Sequence, residues 1–374
     1  MSAHESRPLH QRYPDLREVL SHVALGMLPT PVQHAVELGE RLGVGGLHIK
    51  RDDLSGDVYG GNKVRKLEFL LGDALRAGAR EVLTFGAAGS NHALATAIYA
   101  RALGLRASSY LLPQPNARYV ERNLLAASGV GAALHYFEDR EHAQAAAWAH
   151  STRMEMEHGE KPYVIPFGGT TPMSAAGDAD AGLELAAQVE RGELPVPDLV
   201  YVAFGSMGTA AGVALGLALA GIEAEVRAVR VVPSVLSPLT QWRSLLADAL
   251  VLLASGGATI PDGALDRVRV VDGYLGDGYA QFTPEGVEAI ELVKAFAGVT
   301  LEGTYTGKTF AALIADARAG ELAGRNVVFW NTYNSRDLGP LTAGIDYREL
   351  PEGLHPYFET DVQPLDARLA ELGA

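Results

Sequence analysis

The segment Gly60-Gly61-Asn62-Lys63-Val64-Arg65-Lys66-Leu67-Glu68-Phe69 sets a lysine at a loop-to-helix junction. Val64, Leu67, Leu71, Ala74 and Leu75 recur at helical spacing, which predicts a helix from about Asn62, with Asn62 capping its free N–H groups. Lys63 then falls in the first turn, where a cation opposes the positive end of the helix dipole at a cost of roughly a few tenths of a kcal/mol. A neutral or covalently engaged amine escapes that cost, so Lys63 is a candidate for chemistry; the alternative is an exposed lysine on an amphipathic helix.

Three further segments carry reactive residue types. Gly86-Ala87-Ala88-Gly89-Ser90-Asn91-His92 follows a strand-like run and opens a helical one, so it presents backbone N–H groups, a hydroxyl and an amide to an anion such as a carboxylate. Ser90 could carry a proton, or Ser90 or Asn91 could serve only as an N-cap; His92 alone reads as a packed, hydrogen-bonded histidine. Gly205-Ser206-Met207-Gly208-Thr209-Ala210-Ala211-Gly212 joins an apolar strand to an apolar helix, either as a phosphate cradle or as plain turn chemistry. A dinucleotide fingerprint is not met, because Val231-Val232-Pro233 stands where an acidic residue should end the next strand. Gly303-Thr304-Tyr305-Thr306-Gly307-Lys308-Thr309 is P-loop-like but has Glu302 where the first glycine is required, leaving Tyr305 as a phenol able to act as acid, base or donor.

The elements that would position these segments alternate. Strand-like runs at 47–50, 82–85, 108–112, 132–137 and 163–166 are separated by helical stretches near 91–104, 117–129 and 139–158. After a Pro-containing connection at 192–197, strands at 199–204, 226–232, 268–271 and 326–330 alternate with helices near 208–220, 239–254, 284–297 and 306–319. This rhythm predicts an α/β protein of two lobes, each a mostly parallel twisted sheet flanked by helices. Residues 1–30, with Pro8, Pro14 and Pro29, read as a wrap over the body rather than core, and the tail after Pro351 carries no signal.

Composition narrows the chemistry. With no cysteine among 374 residues, thiolate nucleophiles, disulfides and cysteine-ligated metals are excluded. His142, His150 and His158 drift around a helix by roughly 80° per step, so they do not converge on one ion. The formal net charge of −14 repels nucleic acid and anionic membranes. The N-terminus lacks the apolar run of a signal peptide, and the apolar run 209–222 is too short to span a bilayer, so a cytoplasmic protein is expected.

Taken in order, these segments resemble the pyridoxal-phosphate enzymes comprising D-cysteine desulfhydrase and 1-aminocyclopropane-1-carboxylate deaminase, of the tryptophan-synthase-β fold type, also called PLP fold type II. The resemblance spans about residues 27–340, from Leu28-Pro29-Thr30-Pro31 through Ile49-Lys50-Arg51-Asp52-Asp53-Leu54, and is most specific at Gly60 to Glu68. It implies that Lys63 holds pyridoxal 5′-phosphate as a Schiff base, that Asn62 and Lys66 contribute to cofactor binding, and that Gly205, Ser206, Met207, Gly208 and Thr209 form the phosphate loop. It further implies that Ser90, Asn91 and His92 bind the substrate carboxylate, with Ser90 catalytic and Asn91 also near the cofactor. Tyr305 falls on an active-site tyrosine and Thr332 on the threonine facing the pyridine nitrogen. Thr306 matches the desulfhydrase branch, since the cyclopropane-opening branch has glutamate there.

The resemblance also implies a larger cofactor-binding domain of residues 1–65 plus 176–374, a smaller one of 66–175, a site in the cleft between them, and a homodimer. Four positions depart from the family: Gly89 replaces a glutamine, Met207 a glycine, and Tyr333 and Asn334 two glycines. All are expected to line the pocket, so the cofactor chemistry is expected to be retained and the substrate to differ. The implied activity is elimination of a β-substituent from a small amino acid, giving a 2-oxo acid and ammonia. β-Replacement or racemisation on the same fold is the alternative, and a nucleotide-dependent dehydrogenase or a non-catalytic cofactor-binding protein stands in another class.

Overall fold

The computed structural model describes residues 7–371. Ten strands, β1 (Val32–His34), β2 (Gly46–Lys50), β3 (Glu81–Ala87), β4 (Arg106–Leu112), β5 (Ala133–Tyr136), β6 (Tyr163–Ile165), β7 (Leu199–Phe204), β8 (Glu225–Arg230), β9 (Val268–Val271) and β10 (Asn326–Trp330), form two sheets. The larger runs β1-β2-β10-β7-β8-β9 and the smaller β5-β4-β3-β6. All pairings are parallel except β1 with β2. The apolar strands β7 and β10 lie at the centre of the larger sheet and β3 within the smaller, as expected where helices cover both faces. The α/β architecture expected from the sequence is therefore the one observed.

Three features differ from the sequence expectation. The N-terminal segment is part of the core: Leu9, Leu16 and Leu20 are fully buried in the cluster that also holds Val200, Phe204 and Trp330. Its prolines break it into short helices without removing its apolar residues from the interior. The edge strand β1 was not anticipated, being only three residues long. Nor was the nineteen-residue helix Pro172–Glu190, which is buried at every position from 174 to 186 and so shows no amphipathic period. It packs against the helices Lys63–Arg76 and Gly208–Ala220. The second of these contacts is at backbone range, because a Cβ on Gly216 would lie 2.1 Å from the Ala179 carbonyl oxygen.

The central helix also carries a buried ionic cluster that fixes the lysine-bearing helix. Arg65 reaches Asp52 at 2.7 and 2.9 Å and Glu184 at 2.9 and 3.0 Å. Lys50, at the end of β2, donates to Glu184 (2.5 Å), Gln188 (2.6 Å) and the Thr30 carbonyl (2.7 Å). The Trp330 indole at the end of β10 donates to Asp52 at 2.7 Å. Burial opposes ionisation of Glu184, yet the Arg65 guanidinium and the Lys50 ammonium outweigh it and hold the carboxyl well below its usual range.

Removing one partner of such a cluster leaves buried charge uncompensated. Arg65→Ala should therefore cost about 3–5 kcal/mol in urea unfolding at neutral pH. Loss of the exposed Arg267–Glu223 pair by Arg267→Ala should leave the midpoint almost unchanged. Because the Glu184 carboxyl is depressed in the folded protein, the stability it contributes is present above its unfolded value of 4.5 and lost on acidification below it. The Arg65→Ala deficit should shrink over the same range.

Candidate active site

A cavity of about 490 Å³ opens at the C-terminal ends of strands from both sheets. The segments following β3, β7 and β10 reach it through Ser90, Ser206 and Thr332, as expected for a crevice outside the carboxyl ends of parallel strands. Asn62, Lys63, Asn91, His92, Gly205, Met207, Thr209 and Tyr305 also line it. Lys66 and Gly208 lie just behind that wall. The four separate segments singled out in the sequence thus meet in one place.

Lys63 is the first residue of the helix Lys63–Arg76. Gly61, at φ +91°, brings the chain against β10's exit, where a Cβ would meet the Thr332 carbonyl at 2.8 Å. Asn62 does not cap the helix with its side chain; its amide donates to the Thr209 hydroxyl at 2.7 Å, joining the lysine helix to the glycine loop. Burial is the main influence on the Lys63 amine, and the neighbouring Lys66 cation acts in the same direction. Together they lower its pKa to about 7, against a weaker opposing pull from Asp178.

Lys66 is fully buried and donates to the Thr170 hydroxyl at 3.0 Å, which in turn donates to Ser206 at 2.9 Å. A Cβ on Gly208 would stand 2.4 Å from the Lys66 ammonium and 2.9 Å from the Thr170 hydroxyl, so a side chain there would push the cation from its place against the loop. Gly208 begins the helix Gly208–Ala220, whose first turn offers unbonded N–H groups beside it. Met207 holds φ +71°, a conformation costing a side-chain-bearing residue about 1–2 kcal/mol. Burial of its side chain, worth about 1.5–3 kcal/mol, offsets that cost.

Ser90 does cap its helix, Asn91–Ala102, accepting from the Ala93 N–H at 3.1 Å. Its own hydroxyl proton remains available at the cavity wall. Asn91 is held by the Asn123 amide at 3.0 Å. His92 is a packed residue, with Nε2 3.0 Å from the Thr84 hydroxyl and Nδ1 buried without a partner. Burial, reinforced by the Lys63 and Lys66 cations, drives its pKa well below 6.5, so it is neutral.

The Tyr305 hydroxyl lies 2.6 Å from that of Tyr279. Burial and then Tyr279 push the Tyr305 phenol far up, so it stays protonated. Glu302 accepts the N–H groups of Thr304, Tyr305 and Thr306 at 2.7–2.8 Å and fixes the turn that presents Tyr305. Tyr279, Glu302 and Thr170 were not identified from sequence. Glu302 had one visible signal, since it is the residue that breaks the P-loop-like pattern, whereas Tyr279 and Thr170 had none.

Of the four departures, Met207 and Tyr333 line the cavity and Gly89 and Asn334 do not. A Cβ on Gly89 would sit 2.6 Å from the Tyr119 ring, and its N–H is taken by Gln114 at 2.9 Å. Asn334 accepts from the Gly60 N–H at 2.7 Å and so braces the loop before Lys63. Behind the lysine helix, the buried carboxyl of Asp178 has no hydrogen-bond partner at either oxygen. Burial pushes its carboxyl up, against the attraction of Lys66, Arg65 and Lys63.

Residues 23–332 match the model of the pyridoxal-phosphate dependent enzyme family. The chain belongs to that family. It is 40% identical over 305 residues to nocardicin C-9′ epimerase of Nocardia uniformis subsp. tsuyamanensis, covering 78% of this chain and 88% of the relative. A Pyrococcus horikoshii protein provisionally assigned as a 1-aminocyclopropane-1-carboxylate deaminase is 34% identical, covering 81% and 88%. Among solved structures, an ACC deaminase homologue superposes with a TM-score of 0.74 at 32% identity, covering 89% of this chain and 95% of that one. The processed form of threonine deaminase isoform 2 from Solanum lycopersicum, at 20% identity and a TM-score of 0.59 over 90% and 89% of the two chains, shares the fold.

The protein is thus a pyridoxal-phosphate dependent enzyme of fold type II, with ACC deaminase-like relatives. Its cavity fits that cofactor: a helix N-terminus, the Ser206 and Thr170 hydroxyls and the Lys66 ammonium converge where a phosphate is needed, and a low-pKa amine stands nearby for an aldehyde. In the cofactor-free protein, reactivity of Lys63 toward an acylating reagent, followed by peptide mass spectrometry, should rise through pH 7 rather than near 10.5. Asp178→Asn removes an anion that favours the ammonium and should move that midpoint lower still; a midpoint near 10 would contradict the enclosure of the amine.

Proposed function

We propose that this enzyme takes the α-proton from a small amino acid and expels its β-substituent, releasing a 2-oxo acid and ammonia. The observation that carries this reading is the Lys63 amine, with a pKa of about 7, sharing one cavity with the Ser90 and Tyr305 hydroxyls. When bound, pyridoxal phosphate supplies an aldehyde that condenses with amines and a conjugated ring that takes up the charge left by a departing proton. The chain supplies the rest. Lys63 Nζ, neutral near pH 7, accepts the α-proton. The N-terminus of the helix Asn91–Ala102, with Ser90 and Asn91, orients the carboxylate. Tyr305, kept protonated and held against Tyr279, donates to the leaving group, while Ser90 has a proton to give at the same wall. Thr332, which lines the cavity, would offer the cofactor a neutral hydroxyl in place of a carboxylate, and that would disfavour transamination. The smaller domain of residues 66–175 forms one side of this cleft and 1–65 plus 176–374 the other, and the working enzyme is a cytoplasmic homodimer.

A second reading is epimerisation, in which the α-proton is returned to the opposite face. It is supported by the 40% identical relative that bears an epimerase name, and by Ser90 as a second proton carrier beside Lys63.

Incubation of the reconstituted enzyme in D2O with D- and L-cysteine, chloroalanine, cysteate, serine and diaminopropionate separates the two. Elimination gives equal oxo acid and ammonia, whereas epimerisation gives α-deuterium and inverted enantiomer without ammonia. Lys63→Ala should lose both by at least about a thousandfold, as expected where a catalytic base is removed. Neither product nor exchange from any of these amino acids would contradict the reading.

A further inference from the structure

The cavity has one charged group that the chemistry above does not use. Arg140 lines it as the first residue of the helix Arg140–His158. Its guanidinium stands over the Phe167 ring, 4.2 Å from the centroid, and Phe167 is itself stacked on Phe85 at 5.3 Å. The cation is therefore held against a braced aromatic face instead of sweeping through solvent.

No carboxylate among the described residues forms an ion pair with it. The adjacent Asp139 is engaged by His142, accepting from its backbone N–H at 2.9 Å and pairing with its ring at 2.7 Å. Within the cavity, the carboxylate of Glu302 is occupied by three backbone N–H groups. A cation at the start of a helix also opposes the helix dipole, so helix stability gives no reason for an arginine there. The helix end is already capped by Asp139, with Glu141 in its first turn, so it is the guanidinium that favours an anion at that rim, on a protein whose net charge of −14 otherwise repels one.

Leu112, Pro113 and Leu236 line the same cavity. They give a substrate side chain an apolar surface rather than a polar one.

We propose that Arg140 is a specificity-determining residue for a distal carboxylate, so that the substrate is an amino acid whose side chain runs along this apolar wall and ends in an anion. The inference rests on the reading that the cavity holds an amino acid through its α-amine and α-carboxylate at the Lys63 end. The two carboxylates are then bound by separate groups: one by the Ser90–Asn91 turn, the other by the guanidinium fork, which matches a carboxylate bidentately. Cysteine fills only the first of these.

The test compares S-methylcysteine with S-carboxymethylcysteine, in both enantiomers, on the cofactor-loaded enzyme. α-Deuterium exchange in D2O is read by NMR, so it reports whether elimination or epimerisation follows. A charge-assisted contact is expected to raise kcat/KM for the carboxymethyl compound at least about tenfold over the methyl compound. Arg140→Ala should bring that ratio to about 1 through KM, Arg140→Lys should keep part of it, and Arg140→Glu should invert it. Because Arg140 is exposed, these variants are expected to fold, which circular dichroism checks. Exchange with a wild-type ratio near 1, or a ratio that survives Arg140→Glu, overturns the assignment of Arg140 alone. Exchange from neither compound, while an amino acid of the panel above is turned over, also overturns the assignment of Arg140; exchange from none of them overturns the amino-acid reading on which it rests.

Discussion

A lysine amine kept out of water at the first turn of a helix is the constraint to which the rest of the molecule answers. Burial disfavours its charged form, and a second buried lysine one turn along acts in the same sense. An ordinary surface lysine would be a cation at neutral pH and useless as a nucleophile or a base. The same enclosure serves both tasks, because an amine that joins an aldehyde must be neutral and an amine that takes an α-proton must have a proton-free lone pair.

Holding that amine still requires two anchors. On one side, two residues on from Lys63, Arg65 and the Asp52–Glu184–Lys50 cluster tie the lysine helix to β2, β10 and the helix Pro172–Glu190. On the other, the Asn62 amide and the Lys66–Thr170–Ser206 chain tie it to the glycine loop. At Gly208 the loop depends on an absent side chain, since a Cβ there would crowd the Lys66 ammonium at 2.4 Å. Met207 shows the limit of that rule, tolerating a left-handed backbone because its side chain is buried.

Much of this was legible in the sequence because central parallel strands are apolar runs of fixed length and their helices are punctuated. The strands 199–204, 268–271 and 326–330 and the helices 208–220 and 284–297 have the limits the pattern predicted. What escaped was structure whose signal cancels. The helix Pro172–Glu190 touches protein on every side, so its small and apolar residues show no stripe. The prolines of residues 1–30 break the chain into helices too short to show a period, which hides Leu9, Leu16 and Leu20 as core residues. At the site, Lys63 and Ser90 could be picked out by their place at loop-to-helix junctions, and Tyr305 as the phenol in a P-loop-like string that lacks its first glycine. Tyr279, Thr170 and Arg140 could not, because their importance lies in what they face across the cavity, and spacing along the chain does not encode it.

The central claim is that a single covalent link between Lys63 and pyridoxal phosphate organises this site. Reconstituting the purified protein with the cofactor, reducing with borohydride and mapping the modified peptide by mass spectrometry tests it directly. One cofactor per chain on Lys63 is the expected result; no adduct, or an adduct on Lys66 or any other lysine, would contradict it.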